Sequence, residues 1–469
     1  MGQLYKPCHR FILESKKITT LFLPLLFSQI TYAASTFLGT AIIAHLGEDA
    51  LAAYSLVSSI YTCLCAFFYG IFVSVCITVS KSFGANEDKQ IRNFVSQGFV
   101  LACICSIPFM LIMWFISTLL LCIGMDPKVI KLAELSLRAL SFSILPWLYI
   151  VVMEQFLIGI SLTKCIFVIS LIQAPIEIFV NYAFVFGKFG FPQCGIAGLG
   201  YGFTLVFVVA TVIMMIYISQ SKFTRKYQLF KNYGRINIRY LIELIRLGMP
   251  IGSSNMVESL SFLMIILLVV KFGSHELAAQ GIIKQYLELS VAVILALAQS
   301  ITVRVSQTIG EKNSKATLLS TYLGFVLGVF IMSVIAVIYI IFPKTIIALD
   351  LDITVPANKE IISYAKNLFM FVAIFQIFDS VRLIAMSVLR GFQDVKLSMY
   401  VTIVIFWLLG LPCAYLLSFI YGYGIYGIWY GLLLGMAIGV VILVIRMVQL
   451  LQKSSSFDVK EHLVSLESR

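Results

Sequence analysis

The stretch "HLGEDALAAY" at residues 45–54 has a counterpart in "KFGSHELAAQ" at residues 271–280, which lies 226 positions further along the chain. Each stretch places Leu-Ala-Ala four residues after a glycine, and each lies between two long apolar runs. The same shift aligns Pro24 with Pro250, and "VSKSFG" with "VSQTIG", without a gap. Ordered matches at one constant spacing indicate an internal duplication.

Two further matches extend the duplication to the end of each half. "LIGISLTK" at 157–164 pairs with "LRGFQDVK" at 389–396, and "GIAGLGYG" at 195–202 pairs with "GIYGIWYG" at 424–431. The glycines of the last two stretches recur every few positions near the start of an apolar run. We expect them to serve both as turn residues and as small residues that let two helices approach closely.

Composition assigns the chain to the membrane. Sixty per cent of the residues are hydrophobic, 12% are charged and the mean hydropathy is +1.00, which is too apolar for a soluble protein of 469 residues. A membrane-spanning helix needs about 20 apolar residues, and twelve runs of that size predict an all-α membrane protein. The predicted spans are 18–44, 53–79, 93–122, 138–160, 165–187, 196–220, 241–270, 277–303, 317–342, 361–388, 397–420 and 424–446.

The duplication predicts two lobes of six spans each. Residues 1–220 form the N-terminal lobe, 221–239 a basic cytoplasmic loop, 240–446 the C-terminal lobe and 447–469 a cytoplasmic tail. Because six is even, both lobes enter the membrane from the same side, and a pseudo-twofold axis along the membrane normal relates them. Two such lobes leave a cleft whose access alternates when one lobe rocks against the other, as in a secondary transporter.

The formal net charge of +12 reflects membrane topology rather than nucleic-acid binding. With the N-terminus in the cytoplasm, 23 of the 34 Lys and Arg residues fall in cytoplasmic tails and loops, and 7 fall in the outer connections. This asymmetry follows the positive-inside rule. It predicts that both termini are cytoplasmic and that the lipid bilayer, not a nucleic acid, is the partner of the chain.

The sequence lacks the patterns of an enzyme or of a metal protein. No His pair, Ser/Lys dyad or phosphate-binding glycine loop stands at catalytic spacing. The four His are scattered, and most of the ten Cys lie inside predicted spans. We therefore expect no enzymatic activity, no cofactor, no zinc site and no disulfide framework. A channel or a scaffold is also disfavoured, because neither has a reason to bury carboxylates in both lobes.

Pro24 and Pro250 lie inside the first span of their respective halves. A proline within a helix frees a backbone carbonyl and permits a bend, which the membrane tolerates where neighbours or cavity water satisfy that carbonyl. The two prolines are therefore candidate hinges. A packing kink without a mechanical role is the alternative.

Ionisable side chains inside the predicted spans are the main functional candidates, because each costs several kcal/mol at the middle of the membrane. Desolvated carboxylates of this kind can carry a proton, or can bind sodium together with neighbouring oxygens. Glu258 lies eight residues past Pro250, roughly 12 Å along a helix, and hence near the membrane centre. The ionisable residues are Glu154 and Glu177 in the first half, and Glu258, Lys284, Glu288, Asp379 and Arg382 in the second.

Some of these residues have a structural alternative. Arg382 lies one turn after Asp379 and would hold that acid ionised if the two pair. Lys284 and Glu288 are spaced so that they neutralise each other. Glu258 has no partner within one turn and is the stronger candidate for ion coupling. Glu154 lies near the cytoplasmic end of its span, and its alternative role is that of a residue at the membrane–water interface.

Four features carry a resemblance to a known family: "GISLTK" (159–164), "NYAFVFGKFG" (181–190), the Glu eight residues after the second-half proline, and "FDSVRLIAMSVLRGFQD" (378–394). They are similar to the multidrug and toxic compound extrusion (MATE) transporters, and within them to the NorM-type bacterial branch. The similarity covers essentially the whole chain. It implies the export of small amphipathic, often cationic, compounds in exchange for protons or sodium. We expect a monomer in a bacterial inner membrane.

The resemblance also implies roles for particular residues. Glu258 and Asp379 fall on the acidic positions that bind the coupling cation, with sodium as one alternative, and Asn181 falls on a polar position of the first lobe. Tyr32 and Gln280 are further candidates for lining a substrate cavity. The competing function is a flippase for lipid-linked oligosaccharides in the wider superfamily. Such a flippase needs a cationic cavity for pyrophosphate, whereas the charges inside these spans are mostly acidic.

Two positions depart from the pattern of the family. The usual acid fifteen residues past the first-half proline is here Gly39, whereas Glu177 occupies a span-5 position where related sequences typically carry Asn. We hypothesise that the carboxylate moved from span 1 to span 5 within the same cavity. Phe375, also a candidate cavity residue, replaces a common Tyr one turn before Asp379. A hydroxyl ligand is thereby absent, which favours a proton over sodium.

Overall fold

The computed structural model describes the backbone of residues 5–122, 126–232 and 234–467, and the side chains of residues 10–122, 126–231 and 234–454. All regular structure in these ranges is helical. The helices of the first half are α1 (Tyr5–Ala44), α2 (Glu48–Gly84), α3 (Asp88–Cys122), α4 (Pro127–Ser141), α5 (Ile144–Gly159), α6 (Thr163–Phe186) and α7 (Ala197–Gln220). Those of the second half are α8 (Ile238–Val270), α9 (Ser274–Gly310), α10 (Ser314–Ile341), α11 (Pro343–Ile347), α12 (Lys359–Gly391), α13 (Val395–Ile403), α14 (Leu411–Tyr415) and α15 (Ile425–Glu467).

The expected twelve membrane spans are present in the described part of the chain. Eleven helices are long and apolar enough to cross a membrane, and the bent pair of α4 and α5 supplies a twelfth. Most helices continue past the apolar runs that predicted them. α15, for example, runs through the expected tail as far as Glu467. The all-α membrane fold is therefore confirmed.

The fourth span differs from the single run predicted at 138–160. It is broken between Ser141 and Ile144, and its two halves are bent by 50°. The hydroxyls of Ser141 and Ser143 donate to backbone carbonyls three residues earlier, and Pro146 in the first turn of α5 lacks an N–H. Both features weaken the continuity of helical hydrogen bonds, which explains a break that apolar composition did not reveal.

The eleventh span, between Val395 and Ile420, contains two π-helical segments. The first, Val404–Gly410, lies just before Pro412. A proline cannot donate to the carbonyl four residues earlier, so a wider turn relieves the local clash. This irregular segment contains Phe406 and Trp407, both of which lie next to a candidate site described below.

The chain forms two compact units whose limits differ from the halves of the sequence repeat. One unit is Phe27–Gly252, and the other combines Met1–Leu26 with Ser253–Arg469. α1 and α8 therefore each contribute to both units, and each changes unit two or three residues after its proline, Pro24 or Pro250. The lobe limits at 220 and 240 stay a prediction about the repeat. The hinge role of the prolines also stays a prediction, since both lie within continuous helices.

The beginning of α1 is integral to the core of the second unit. Ile18 is fully buried in a hydrophobic cluster that includes residues of α9, α10, α12 and α15. The beginning of α8 has the same relation to the first unit, because a Cβ at Gly252 would lie 2.5 Å from the Phe67 carbonyl oxygen of α2. The first helix of each repeat is thus divided between two apolar cores.

The repeated glycines have both of the expected uses. Gly195 and Gly424 take φ values of +55° and +57° in the turns before α7 and α15, a conformation that favours glycine. Later glycines allow close helix packing instead. A Cβ at Gly198 would lie 2.7 Å from the backbone of Phe184, and one at Gly427 would lie 2.6 Å from the backbone of Ser418. α7 and α15 therefore pack closely against α6 and the eleventh span respectively.

Candidate ion and substrate sites

The first candidate site is the carboxylate of Glu177 on α6, in the unit 27–252. Glu177 is 7% exposed, and its Oε1 accepts a hydrogen bond of 2.6 Å from the hydroxyl of Ser35 on α1. Gln173, one turn earlier on α6, also hydrogen bonds to Glu177. No Lys, Arg or His in the described ranges forms an ion pair with it. Its partners are neutral, so a change of its protonation state breaks no ion pair.

Gly39 borders the same space as Glu177. It lies one turn beyond Ser35 on the same face of α1, and a Cβ there would meet only the Tyr54 hydroxyl, at 3.9 Å. Tyr54 is also close enough to Glu177 for an electrostatic interaction. The position of the missing span-1 acid and the position of Glu177 are therefore neighbours. This arrangement supports the hypothesis of a relocated carboxylate, which stays a prediction.

Asn181 lies one turn after Glu177 on α6 and is 2% exposed. Its Oδ1 packs directly against Gly202 of α7, where any Cβ would clash with it. This oxygen has no hydrogen-bond partner within the described side chains. The amide oxygen thus faces α7, whereas the Glu177 carboxylate faces α1. The cation-binding role of Asn181 stays a prediction.

The second candidate site joins Glu258 of α8 with Asp379 and Arg382 of α12. Arg382 is fully buried, and its Nη2 and Nη1 donate to the two oxygens of Glu258 over 2.6 and 3.1 Å. Its Nε donates to Asp379 Oδ1 over 2.7 Å. Asp379 is almost fully buried, whereas 27% of the Glu258 side chain is exposed. One guanidinium is therefore shared by two carboxylates, and the formal charge of the three groups is −1.

Sequence spacing revealed only half of this second site. It raised the pairing of Arg382 with Asp379 as an alternative, which the structure confirms, but it gave Glu258 no partner. The structure provides one from 124 residues away. The sodium prediction at Glu258 and Asp379 stays untested. The guanidinium weighs against it, because a sodium ion would have to replace N–H donors that already occupy three of the four carboxylate oxygens.

Two of the three expected cavity residues are packed inside the second unit. Phe375 is 1% exposed and stacks edge-on against Trp429, with ring centroids 5.8 Å apart. Gln280 is 5% exposed, and its Oε1 accepts from the Trp429 indole N–H over 3.2 Å. In the structure Phe375 and Gln280 are therefore packed against Trp429, and their role in lining a cavity stays a prediction. The side chain of Tyr32 on α1 is mostly exposed, and it lies within electrostatic reach of Glu177. An exposed side chain close to a buried acid suits a cavity residue.

The remaining ionisable residues of the spans have simpler roles. Lys284 and Glu288 form an exposed ion pair of 3.4 Å within α9, which confirms that they neutralise each other. Glu154 is half-buried on α5. The Lys284–Glu288 pair belongs to neither candidate site, whereas Glu154, like Glu177, lies within electrostatic reach of Tyr32.

Sequence reasoning missed a third buried ion pair. It assigned Arg304 to a cytoplasmic loop, but this residue lies within α9 and is 4% exposed. Its Nε and Nη2 donate to both oxygens of Glu14 on α1 over 2.7 and 2.8 Å, and its Nη1 donates to Glu311 over 3.1 Å. The pair attaches the beginning of α1 to the second unit. The sequence shows Glu14 only as an acid ahead of the first apolar run, and nothing there indicates that it is buried against Arg304.

Trp407 was also missed, and it lies beside the second site. Its indole N–H donates to the Val257 carbonyl oxygen over 3.1 Å, on the turn of α8 that carries Glu258. The Trp407 side chain is 38% exposed. Nothing in the local sequence distinguishes this tryptophan from a lipid-facing residue.

Twelve spans, an internal duplication and buried carboxylates in both compact units indicate a membrane transporter rather than an enzyme. Comparison with known proteins agrees with this class. The chain belongs to the MatE family, whose sequence model matches residues 24–183 and 250–416. It is 30% identical over 421 residues to the "Probable multidrug resistance protein NorM" of Pseudomonas aeruginosa, covering 90% of this chain and 86% of that protein.

Other relatives extend the similarity to nearly the full length. The chain is 25% identical over 456 residues to the "Multidrug resistance protein NorM" of Aliivibrio fischeri, which covers 96% of this chain and 98% of the relative. The fold resembles that of a MOP superfamily transporter from Pyrococcus furiosus, with a TM-score of 0.85 at 15% identity over 94% and 97% of the two chains. A eukaryotic MATE transporter matches with a TM-score of 0.82 at 19% identity over 95% and 99%.

Proposed function

We propose that this protein exports amphipathic, often cationic, compounds from a bacterial cell in exchange for protons, and that Glu177 carries the proton. The export of drugs is supported by the names of the NorM relatives, which are multidrug resistance proteins. The proton is supported by the environment of Glu177. This carboxylate is buried, is bound to the hydroxyl of Ser35, and lacks an ion-pair partner within the described ranges.

The Ser35–Glu177 hydrogen bond is the single observation that carries the proposal. A hydroxyl that donates to an ionised carboxylate makes a bond roughly twice as strong as a neutral one. Protonation of Glu177 weakens this bond and so loosens the attachment of α1 to α6. α1 passes from one compact unit to the other just before this point, between Leu26 and Phe27. A proton at Glu177 can therefore bias the helix that both units share.

Alternating access of the two halves would convert that bias into transport. Proton binding favours one arrangement of the shared helix, and proton release favours the other. Protons that enter the cell down their gradient across the inner membrane then drive the compound in the opposite direction. Both termini of the protein lie in the cytoplasm. The prolines at positions 24 and 250 lie close to the points where α1 and α8 change unit, which suits a bend at these places.

The flippase alternative receives no support from the buried arginines. Arg382 is bound to Glu258 and Asp379, and Arg304 is bound to Glu14 and Glu311. A pyrophosphate group needs cationic donors that are free to bind it. Both guanidinium groups are already engaged by carboxylates.

The direct test uses everted membrane vesicles that contain the protein, with ethidium as the fluorescent cation. A pH gradient and a sodium gradient are imposed separately, and vesicles without the protein are the control. The proposal predicts uptake with the pH gradient alone. Uptake with the sodium gradient alone would overturn proton coupling, and no uptake with either would overturn drug export.

A further inference from the structure

Of the two acids in the second site, Glu258 is partly exposed and Asp379 is buried. The Glu258 side chain is 27% exposed, whereas that of Asp379 is 4% exposed and that of Arg382 is fully buried. An ionised group that faced lipid at this depth would be very costly. The exposed edge of Glu258 therefore faces a space that water, or a soluble cation, can enter.

A tryptophan of the eleventh span is bound to the turn of α8 that carries Glu258. The Trp407 indole is fixed to the Val257 carbonyl oxygen, on the same turn of α8 as Glu258, and much of its ring is exposed. A carboxylate next to an exposed indole suits a hydrophobic cation, because the acid compensates its charge while the ring attracts it through a cation–π interaction. A small, strongly hydrated inorganic ion would gain nothing from the indole.

Arg382 is arranged so that it can release Glu258 without losing all of its partners. Its Nε bond to Asp379 lies within α12, and its guanidinium also lies 5.5 Å from the centre of the Phe406 ring. Only the two bonds to Glu258 cross from α12 to α8. A competing cation at Glu258 would thus leave Arg382 paired with Asp379.

The net charge of the second site determines how many positive charges it can bind. Two carboxylates and one guanidinium carry a net charge of −1, so one further positive charge makes the group neutral. A buried net charge is unfavourable, and a singly charged compound removes it. Within the described ranges, Glu258 and Asp379 are the only acids that pair with Arg382.

We propose that the exposed edge of Glu258 beside Trp407 binds the cationic centre of a hydrophobic, singly charged compound, and that Arg382 is the tethered cation which this compound displaces from Glu258. This inference rests on the proposed export of such compounds and adds the place where they bind. Arg382 then stays bound to Asp379, and it binds Glu258 again when the compound leaves.

The test is a binding titration of the full-length protein in lipid nanodiscs with tetraphenylphosphonium, followed by calorimetry. The variants are Glu258→Gln, Arg382→Gln and the double variant, with Lys284→Met as a control that removes the cation of an exposed ion pair. We expect Glu258→Gln to weaken binding by about tenfold or more, the scale of one lost charge-assisted contact. Arg382→Gln is expected to tighten binding, because the competitor is gone, and the double variant is expected to fall between the two.

Two further variants keep the test decisive if Arg382→Gln does not fold. Arg382→Lys keeps the charge but loses the forked geometry, so it is a weaker competitor and should bind the probe more tightly than the native protein. Trp407→Leu should weaken binding by roughly 2- to 30-fold, the range of cation–π energies, whereas Trp407→Phe should retain most of it.

Two results would overturn the inference. Unchanged affinity in Glu258→Gln would place the compound elsewhere. Weakened binding in Arg382→Gln and Arg382→Lys alike would make Arg382 a purely structural residue. Uptake of the same probe by vesicles separates this failure from that of the proposed function. Native protein that transports tetraphenylphosphonium while Glu258→Gln binds it normally refutes only this site.

Discussion

Glu177 in one compact unit is bound to the hydroxyl of Ser35, whereas Glu258 and Asp379 in the other unit share the guanidinium of Arg382. Both sites bury carboxylates inside membrane spans, but only the second contains its own cation. The first site can therefore gain or lose a proton with neutral partners alone. The second can bind one further positive charge, which takes the place of Arg382 at Glu258 alone. The two proposals above therefore give the proton to the first unit and the organic cation to the second.

The largest expected effect comes from Glu177→Gln, which removes the proposed proton carrier and keeps the size of the side chain. Uptake of ethidium driven by a pH gradient should fall to the level of vesicles without the protein. Glu288→Gln, which removes an acid from an exposed ion pair of α9, is the matched control and should transport normally. Undiminished uptake by Glu177→Gln would remove the distinction between the two sites.

A relocated carboxylate should restore part of the lost transport. The double variant Glu177→Gln with Gly39→Asp places an acid on α1 beside Tyr54, where the structure has room for a side chain. We expect uptake driven by the pH gradient to return to a measurable fraction of the native rate. Equal inactivity of the single and double variants would show that the position on α6 is itself essential, and would refute a shared space for the two carboxylates.

An intermediate effect is expected from Ser35→Ala, which removes the hydroxyl that Glu177 accepts. A hydrogen bond to a charged group contributes about 1.5–3 kcal/mol, so the rate of proton-driven uptake should fall by about 10- to 150-fold without being abolished. Ser35→Thr keeps the hydroxyl and should transport almost normally. If alanine and threonine behave alike, the hydroxyl does not link α1 to the protonation state of Glu177.

The smallest effect concerns packing around the first site. Gly202→Ala forces a methyl group against the amide oxygen of Asn181 and should lower the free energy of unfolding by about 1–3 kcal/mol. Gly281→Ala in α9 is the matched control, because a Cβ there meets nothing within 4 Å. The control should be neutral or slightly stabilising. Thermal unfolding in detergent measures the stability of both variants. Equal stability would mean that α6 and α7 move apart at Gly202 at little cost in free energy.

The spans were predictable because the membrane imposes a long apolar run on each of them. The exposed Lys284–Glu288 pair was predictable for a similar reason, since both partners lie on one helical face. The chemistry of the sites depends on contacts that no local pattern contains. Ser35 and Glu177 are 142 residues apart, and Glu258 and Arg382 are 124 apart.

Other features that the sequence did not reveal have the same origin. Phe375 and Gln280 lie at positions that suit a cavity by sequence, but both pack around Trp429, which is about 50 and 150 residues away respectively. The break between α4 and α5 and the π-helical turn at Val404–Gly410 depend on backbone hydrogen bonds rather than on hydropathy. Division of α1 and α8 between two cores is likewise visible only in three dimensions.

The most direct measurement of the central claim is infrared difference spectroscopy of the purified protein as the pH is changed, which detects the carbonyl stretch of a protonated carboxyl group. The account predicts a pH-dependent band in the native protein that disappears in Glu177→Gln and remains in Asp379→Asn. A band that persists in Glu177→Gln but disappears in Asp379→Asn would assign the proton to the second unit and contradict the account.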